Sequence, residues 1–489
     1  RDLLVAQHRE PQAILTGQLG LAALVLLPAA LLLGAVFPLA ARVVHRQGES
    51  GGHAIGRAYA VNTAGTVLGA AGAGLFLLPA LGSLPVLAAA AWTHIALGIG
   101  LALAAPGRWG PRLAIAGIVA ALGTGVRLAS PAPDLYRLNY GIVSLLRDID
   151  RGAGPPPSLK QLERRQIDPL RLLSMEEGRA ATVAVASHWE QRQLTINGKV
   201  DASSGDPTQV LLGQLPMILA DSARRVLVIG YGSGITTHSV LTHAVGRVET
   251  VELEPAVVRA GRFFADLNGQ DDHDPRSVIH FEDGRTHLAY TRTIYDVIVS
   301  EPSNPWIAGI NNLFTAEFYR LVKRRLAPGG LFCQWLHGYD MSRETLASLL
   351  GTLGEVFPGA EVYKQNLDFL VVWKEAGAFP TRARLERAFG DAKVRADLAR
   401  VGFVAPADLL ALYLGPIEAV AWPSLSLMTH FFLNRIDPGE RGTFSVEVNN
   451  FAVTSATNVV LTVTLPEGGT MIGGGSQSGT PSCTVVNNA

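Results

Sequence analysis

Long apolar stretches without charged residues occupy the beginning of the chain. No Asp, Glu, Lys or Arg occurs from Pro11 to Ala41 or from Ala58 to Gly107. A bilayer core about 30 Å thick is crossed by roughly 20 apolar helical residues. The first stretch therefore predicts one spanning helix, and the second, interrupted by prolines and a glycine at 79–85, predicts two. A further apolar stretch, Leu113–Val126, is short for a span, so three or four membrane helices are expected.

From about Glu177 the pattern changes to short apolar strands that alternate with helices, after a small β unit over Thr182–Ala186 and Gln193–Ile196. The expected strands and helices are Arg225–Ile229, Ile235–Ala244, Val248–Leu253, Pro255–Phe264, Val278–Phe281, Asp296–Val299, Phe314–Leu326 and Leu331–Trp335. This alternation is typical of a parallel sheet with helices on both faces. We predict a doubly wound α/β domain, Rossmann-like and of methyltransferase type, and mainly helix over 378–415.

The end of the chain has a different pattern. Thr443–Asn449 and Asn458–Leu465 alternate apolar and polar residues between turn residues, which favours antiparallel strands. The segments 457–460 and 465–468 resemble the start of bacterial cell-surface repeats with an immunoglobulin-like sandwich, so we expect a truncated, all-β Ig-like tail. Because the chain begins at Arg1 and stops within this pattern, we expect a fragment, with a gene-fusion or assembly join between about 420 and 440 left open.

Four regions are therefore predicted. They are transmembrane helices at 1–130, a linker at 131–175, a nucleoside-binding α/β domain at 176–425 and a partial β repeat at 440–489.

Charge and cysteine content exclude several classes of protein. Lys plus Arg equals Asp plus Glu at 41 each, which gives no basis for nucleic-acid binding through bulk charge. Residues 1–130 carry eight arginines, no lysine and three acids, whereas the rest has an ordinary charge content. The two cysteines, Cys333 and Cys483, exclude a disulfide framework and a cysteine zinc cluster. No metal site is expected.

A glycine-rich turn gives the sharpest local signal for chemistry. Gly230, Gly232 and Gly234 follow the strand Arg225–Ile229 and precede a helix. Glycines there allow positive φ angles and a close approach of a ligand to the backbone. The turn lacks the pattern G-x-G-x-x-G, which argues against NAD and favours a ligand of the S-adenosylmethionine type.

Acidic residues follow the next two strands. Glu252 ends the second strand, where a carboxylate can accept both hydroxyls of a ribose. Asp283 and Gly284 follow the third strand, where the acid can accept from an adenine amino group. Three loops at the carboxyl ends of neighbouring strands form one crevice, and together they predict nucleoside binding.

Several motifs resemble those of the spermidine/spermine synthases, the polyamine aminopropyltransferases, and in particular their membrane-fused bacterial subgroup. The likeness covers about residues 20–420 and is strong at 196–201 and 300–306. The other matching segments are Gly230–Gly234, Val251–Glu254, Asp283-Gly284, Glu301–Pro305 and Leu313–Tyr319.

The resemblance implies transfer of an aminopropyl group from decarboxylated S-adenosylmethionine to putrescine, which leaves methylthioadenosine. Carried over residue by residue, it implies that Glu301 is the base that deprotonates the attacking amine. Gln209 and Asn304 match positions that bind the amine substrate. The implied nucleoside-binding residues are Gly230, Gly232, Ser233, Gly234, Glu252, Asp283 and Gly284.

Four positions depart from the family pattern. The acid usual within the glycine turn is Ser233, and the second acid of the catalytic motif is Asn304. A tyrosine of the acceptor channel is Thr208, and a following glutamate is Val210. Each change removes charge or aromatic surface that would hold a cationic amine. Glu301 is also one methylene longer than the family's aspartate, and a structural role for it before Pro302 stays open.

The expected function is that of a membrane-anchored aminopropyltransferase, a transferase of polyamine biosynthesis. Two alternatives remain: an S-adenosylmethionine-dependent methyltransferase, and a non-catalytic nucleoside- or polyamine-binding domain on a membrane carrier. The expected co-substrate is decarboxylated S-adenosylmethionine or S-adenosylmethionine, without a metal. Expected partners are a small amine, the lipid bilayer and, as an option, a second copy of the chain, but no nucleic acid. We expect a multi-pass cell-membrane protein with a cytoplasmic catalytic domain.

Overall fold

A computed structural model describes residues 11–46, 51–129, 134, 136–137, 159–188, 190–221, 223–307, 309–339, 341–377, 380–420, 427–431 and 446–450. The chain divides into two compact units, Arg1–Trp422 and Pro423–Ala489. The predicted domain boundaries within the first unit stay a prediction.

Four long apolar helices begin the first unit. They are α1 (Pro11–Arg46), α2 (Gly51–Gly72, continued by a π-helical turn Ala73–Leu77 and a short helix Leu78–Leu81), α3 (Ser83–Ala104) and α4 (Trp109–Ala129). Gly82, at φ +78°, separates the second from the third. The fourth is longer than expected because Arg112 and Arg127 lie near its ends rather than outside it. Each helix is long and apolar enough to cross a bilayer, by length and composition.

A four-stranded antiparallel sheet follows the short helix α5 (Leu159–Gln166). Its strands, in spatial order, are β1 (Arg171–Glu177), β2 (Thr182–His188), β3 (Gln191–Ile196) and β4 (Lys199–Ser203). Asn197 and Gly198 both have positive φ angles, as a two-residue hairpin between β3 and β4 requires. The turn before α3 contacts this sheet, since the Ser83 amide and hydroxyl both donate to the Glu177 carboxylate, at 2.6 and 2.7 Å.

The main sheet has eight strands. They are β5 (Arg225–Ile229), β6 (Arg247–Glu252), β7 (Ser277–Phe281), β8 (Tyr295–Ser300), β9 (Leu326–His337), β10 (Glu361–Gln365), β11 (Asp368–Lys374) and β12 (Tyr413–Pro416), in spatial order β12-β10-β11-β9-β8-β5-β6-β7. Strands β5 to β9 pair in parallel, and β11, β10 and β12 join antiparallel. The doubly wound, Rossmann-like sheet is confirmed. The antiparallel hairpin and the strand at 413–416, within a segment expected to be helical, are additions.

The helices of this part are short. They are α6 (Thr208–Leu219), α7 (Ile235–Leu241), α8 (Pro255–Gly261), α9 (Ala265–Asn268), α10 (Gly284–Tyr290), α11 (Ala316–Arg325), α12 (Arg343–Val356), α13 (Arg382–Gly390), α14 (Ala392–Ala399), α15 (Pro406–Leu410) and α16 (Ile417–Val420), with 3₁₀ turns at Arg262–Phe264, Asp271–His273 and Ile310–Phe314. All twelve residues of α6 are buried, so this helix lies inside the packing between the sheet and α13–α14.

The direction of chain progression reverses at β5. The chain runs from β5 outward to β6 and β7, and then returns to place β8 on the other side of β5. In sheets of this kind, ligands bind in the crevice outside the carboxyl ends of the strands at such a reversal. The residues that follow β5 and β8 are Gly230 and Glu301, so the fold brings these two predicted site residues together.

In the second unit, β13 (Leu427–Phe431) pairs antiparallel with β14 (Val446–Asn450). Strand β14 overlaps the predicted strand Thr443–Asn449. The predicted strand Asn458–Leu465 and most of the Ig-like tail lie outside the described residues, so the Ig-like repeat stays a prediction.

Candidate functional site

The glycine turn after β5 is held tightly against the loop after β8. The Glu301 amide donates to the Ile229 carbonyl oxygen at 2.8 Å. Gly230 has φ +98°, and a Cβ atom added there would lie 2.4 Å from the Glu301 carbonyl oxygen. Only glycine combines this backbone conformation with so close an approach.

The middle of the turn packs against functional side chains. Gly232 has φ +53°, and a Cβ atom there would lie 2.8 Å from Gln209 Nε2 and 3.3 Å from Glu301 Oε1. The amide of Gly234 closes the turn by donating to the Tyr231 carbonyl oxygen at 2.8 Å. The absence of side chains at Gly230 and Gly232 therefore leaves room for the residues that converge from α6 and β8.

Glu252 lies at the end of β6, as predicted. One carboxylate oxygen accepts from the Tyr231 amide at 3.0 Å and the other from the Glu254 amide at 2.9 Å. Burial raises the pKa of Glu252 above its usual value, although these amide donors act in the opposite direction. The two hydrogen bonds fix the carboxylate beside the glycine turn, and a second lone pair on each oxygen can accept from a ligand hydroxyl.

Asp283 and Gly284 form the third predicted loop. The Asp283 carboxylate caps α10 by accepting from the Thr286 amide at 2.8 Å. A Cβ atom at Gly284 would lie 2.5 Å from Ile229 Cγ2, so this residue packs directly on β5. Asp283 thus has a local structural role in addition to the predicted adenine contact.

A buried chain of hydrogen bonds joins Ser233, Gln209 and Glu301. The Ser233 hydroxyl donates to Gln209 Oε1 at 2.7 Å, and Gln209 Nε2 donates to Glu301 Oε1 at 2.6 Å. Thr236 Oγ1 also donates to the Gln209 carbonyl oxygen at 3.0 Å. Because both ends of the Gln209 amide are engaged, its orientation is determined and it presents a donor to Glu301.

Glu301 is 7% exposed, and its second oxygen, Oε2, is buried without a hydrogen-bond partner among the described residues. Burial raises the pKa of the Glu301 carboxyl to about 8, with the charges of Glu252 and Asp206 adding to this effect and the hydrogen bond from Gln209 opposing it. A carboxyl group with this pKa exchanges a proton near neutral pH and can act as a general base.

Asn304 lies close to Glu301 in sequence and is completely buried. Neither its side-chain oxygen nor its side-chain nitrogen has a hydrogen-bond partner in the part of the chain that the structure describes. Buried polar groups are nearly always hydrogen-bonded, so an amide with two unmatched atoms indicates a place for a ligand or water.

Sequence reasoning missed a second buried acid, Asp368. It begins β11, and its Oδ2 accepts from Thr208 Oγ1 at 2.8 Å, while no described residue hydrogen-bonds to its Oδ1. Burial raises the pKa of Asp368 to about 6, and the charge of Asp206 acts in the same direction. The sequence feature that could have revealed Asp368 is an acid at the start of an otherwise apolar strand.

Neighbouring residues of α6 connect the two buried acids. Thr208 donates to Asp368, and Gln209 donates to Glu301. Asp206, just before the helix, accepts from the Thr208 amide at 2.9 Å. The start of α6 therefore gathers three carboxylates on one side of the crevice.

A cation lies near this group. Lys199 Nζ pairs with Asp201 Oδ1 at 2.6 Å, and Ser303 Oγ donates to the same oxygen at 2.5 Å. These contacts tie β4 to the loop after β8. The Lys199 charge lowers the pKa of Asp368. The group therefore contains more acids than cations, and Lys199 offsets part of their negative charge.

Comparison with known proteins shows what this region is similar to. Residues 206–367 match the family model described as the spermine/spermidine synthase domain. The chain is 32% identical over 212 residues to "Polyamine aminopropyltransferase 2" of Pseudomonas aeruginosa, which covers 42% of this chain and 60% of that protein. It is 29% identical over 172 residues to "Spermidine synthase" of Dictyostelium discoideum, which covers 34% of this chain and 60% of that protein.

A third relative has a different name. The chain is 26% identical over 192 residues to "Putrescine N-methyltransferase 2" of Nicotiana attenuata, which covers 38% of this chain and 49% of that protein. The chain spans between 49% and 60% of the length of these three relatives. The segment matched by the family model contains all the site residues described above except Lys199 and Asp201, which precede it, and Asp368, which follows it. Residues 206–367 of this chain therefore match the spermine/spermidine synthase domain.

Proposed function

We propose that the α/β domain transfers an aminopropyl group from decarboxylated S-adenosylmethionine to a small polyamine. The observation that supports this most is Glu301, a buried carboxyl with a pKa of about 8 and one unmatched oxygen, beside the glycine turn at the reversal point of the sheet. The names of the Pseudomonas and Dictyostelium relatives are consistent with this chemistry.

The nucleoside half of the crevice binds the adenosyl group. The ribose hydroxyls donate to the second lone pairs of Glu252, the adenine amino group donates to Asp283, and the glycine turn lets the ligand approach the backbone. Gly230, Gly232, Ser233, Gly234 and Gly284 line this half. Ser233, which is uncharged and already donates to Gln209, replaces the acid expected to hold the ligand's ammonium group.

The amine half of the crevice carries out the reaction. A primary amine attacks the carbon next to the sulfonium, the new C–N bond forms as the C–S bond breaks, and neutral methylthioadenosine leaves. The attacking nitrogen must lose a proton, which passes to Glu301 Oε2. Gln209 holds the other oxygen of Glu301 and thereby orients the carboxylate.

The far ammonium group of the acceptor binds at the acids gathered by α6. Asp368 Oδ1 and the Asn304 side-chain oxygen are buried acceptors without partners among the described residues. A buried ammonium ion is stable only when such acceptors surround it. Asp368 thus supplies the negative charge that the sequence pattern places at position 304.

The test is a turnover assay with the purified full-length chain in detergent or nanodiscs. Decarboxylated S-adenosylmethionine is mixed with a panel of diamines and triamines, and methylthioadenosine is measured. Glu301→Gln, which preserves side-chain volume, should lower kcat about 10²- to 10⁴-fold and leave nucleoside affinity nearly unchanged. Glu355→Gln, at an exposed position on α12, is the matched control. Absence of methylthioadenosine with every amine rejects aminopropyl transfer.

Methyl transfer from S-adenosylmethionine is the second candidate. Ser233 favours methyl transfer. An acid at this position would repel the carboxylate of S-adenosylmethionine and attract the ammonium group of its decarboxylated form, and the uncharged Ser233 does not distinguish the two. The putrescine N-methyltransferase named above belongs to the same set of relatives. Calorimetry with the two nucleosides separates the candidates: aminopropyl transfer requires tighter binding of the decarboxylated form. A non-catalytic binding domain would bind a nucleoside and form no product. In that case Glu301→Gln would change neither nucleoside affinity nor product formation.

We also propose that α1–α4 span the cell membrane. With four crossings, the chain leaves α4 on the same side as the Gly82 turn, which agrees with the hydrogen bonds between Ser83 and Glu177. The other two loops and the helix ends beside them carry Arg42, Arg46, Arg57, Arg108 and Arg112. These favour a cytoplasmic position for those loops and oppose one for the domain. Homodimer formation stays a prediction.

The arginine bias is nevertheless small, since Arg1, Arg9, Arg127 and Arg137 flank the helices on the side of the domain. We place the domain in the cytoplasm, where its nucleoside is made. In a chain without its two native cysteines, Tyr290→Cys lies on the exposed surface of the domain and Ala105→Cys in the loop before α4. In intact cells an impermeant maleimide should label only Ala105→Cys. Labelling of Tyr290→Cys alone would put the domain outside.

A further inference from the structure

A second group of titratable side chains surrounds the adenine loop without taking part in the proposed reaction. His280 lies on β7, Glu282 follows that strand, and His287 lies on α10. One ligand atom from each of these three residues lies within 4.8 Å of the other two. The His280 and His287 rings are 5.1 Å apart between centroids. Imidazole nitrogens and a carboxylate oxygen are ligands that zinc prefers.

When the His287 ring is neutral, its hydrogen bonds leave one contact without a hydrogen. Tyr295 OH donates to Glu249 Oε2 at 3.0 Å, so the Tyr295 oxygen accepts from His287 Nε2–H at 2.9 Å. In the neutral ring, Nδ1 then carries a lone pair, and it lies 2.8 Å from Glu282 Oε1. Two acceptors at this distance require a cation or a proton between or beside them.

His280 also has a ring nitrogen without a hydrogen-bond partner among the described residues. Its Nε2 is buried and lies 3.3 Å from Glu249 Oε2, without hydrogen-bond geometry to any described residue. The group therefore presents two imidazole rings and a carboxylate to one small volume. Tyr295 and Glu249 behind them form the kind of hydrogen-bonded outer shell that orients histidine ligands of metals.

We propose that His280, Glu282 and His287 bind one divalent transition-metal ion of the zinc class, with water completing the coordination. His287 binds through Nδ1, and its Nε2–H is held by Tyr295. Because Glu282 and His287 flank Asp283 and Gly284, the ion fixes the loop that contacts the adenine in the proposed function. Metal binding itself does not depend on that function.

The test uses the full-length chain purified without a histidine tag and stripped with a chelator. Titration with ZnCl₂ at pH 7.5 should give one ion per chain by calorimetry, and CoCl₂ should give visible absorption bands of a low-coordinate site. Glu282→Gln and His280→Ala, at partly exposed positions, should each weaken zinc binding at least tenfold. Tyr295→Phe should weaken it about 10-fold through the outer shell.

His273→Ala is the matched control, since His273 is an exposed histidine beside Asp272, and it should bind zinc as the original chain does. The proposal is overturned if the original chain takes up no stoichiometric zinc, or if Glu282→Gln and His280→Ala bind it unchanged. A circular dichroism spectrum and melting curve for each variant establish that lost binding is not lost folding.

Discussion

The nucleoside half and the amine half of the crevice are built in different ways. In the nucleoside half, each group comes from the residues directly after a strand: the glycine turn after β5, Glu252 at the end of β6, and Asp283 after β7. In the amine half, Glu301 follows β8, but Gln209 and Thr208 come from α6 and Asp368 from β11, 160 residues beyond Thr208. The first half is encoded locally, whereas the second exists only when distant segments pack together.

The two halves also differ in how closely they follow the family pattern. The nucleoside half keeps the pattern of the family except at Ser233, which replaces the acid of the glycine turn. In the amine half, Asn304 and Thr208 replace residues of the pattern, and Asp368 supplies a buried acid from elsewhere. The difference in chemistry between this chain and its relatives is therefore expected at the amine, and the predictions below test that division.

The largest effect is expected from Gly230→Ala, which disturbs both halves. The added Cβ would lie 2.4 Å from the Glu301 carbonyl oxygen, at a backbone φ of +98°. We expect a loss of about 3 kcal/mol or more in the free energy of unfolding, measured by denaturant titration. Gly351→Ala is the control, since its Cβ meets nothing within 4 Å in helix α12. Equal stability of the two variants would contradict the tight fit between turn and loop.

Glu252→Gln should affect the nucleoside half alone. Loss of a charged acceptor that receives two amides and a ribose costs about 1.5–3 kcal/mol, so the Kd for methylthioadenosine should rise about 10- to 150-fold in calorimetry. The KM for the amine should change little. A comparable rise in the amine KM would show that the halves are not independent.

Asp368→Asn should affect the amine half alone. We expect the KM for the diamine to rise about 10-fold or more, since a charge-assisted contact to the ammonium is lost, while the Kd for the nucleoside stays constant. Adding Asn304→Asp to this variant puts a buried acid into the loop after β8 and should recover part of the affinity. An unchanged KM in Asp368→Asn would show that Asp368 does not bind the amine.

The smallest effect is the pH dependence. The base must be unprotonated, and burial raises the pKa of Glu301 to about 8. The rate constant kcat/KM should therefore fall about five- to tenfold from pH 8 to pH 7 and level off above pH 8. The residual activity of Glu301→Gln should lack this step. A profile that is flat between pH 6 and 9 in the original chain would contradict the assignment.

The strands and the nucleoside half were predictable because each depends on neighbouring residues. Arg225–Ile229 is an apolar run bounded by a glycine turn, and the structure has the strand at the same residues. Helix α6 was not predicted. All its residues are buried and Pro216 lies within it, so it has no polar face and no helical periodicity. The same helix holds Thr208 and Gln209, and its omission hid the support of the amine half.

The hairpin of β10 and β11 was missed although it is local, since only two residues separate its strands and one of them, Asn366, has φ +53°. Only the pairing of β11 with β9 is a contact between distant segments. Position 208 was interpreted as a lost tyrosine, but the role of Thr208 depends on Asp368. The hydrogen bond between Thr208 and Asp368 joins two segments far apart in sequence, so it is visible only in three dimensions.

Because consecutive residues of α6, Thr208 and Gln209, hydrogen-bond to Asp368 and Glu301, the start of one helix holds both carboxylates. In the proposed reaction, the distance between the two carboxylates sets the length of the acceptor. An acceptor whose nitrogens are one methylene too close or too far apart would not bind to one acid and be deprotonated by the other. Selection among polyamines of different chain length would then follow from the geometry of α6.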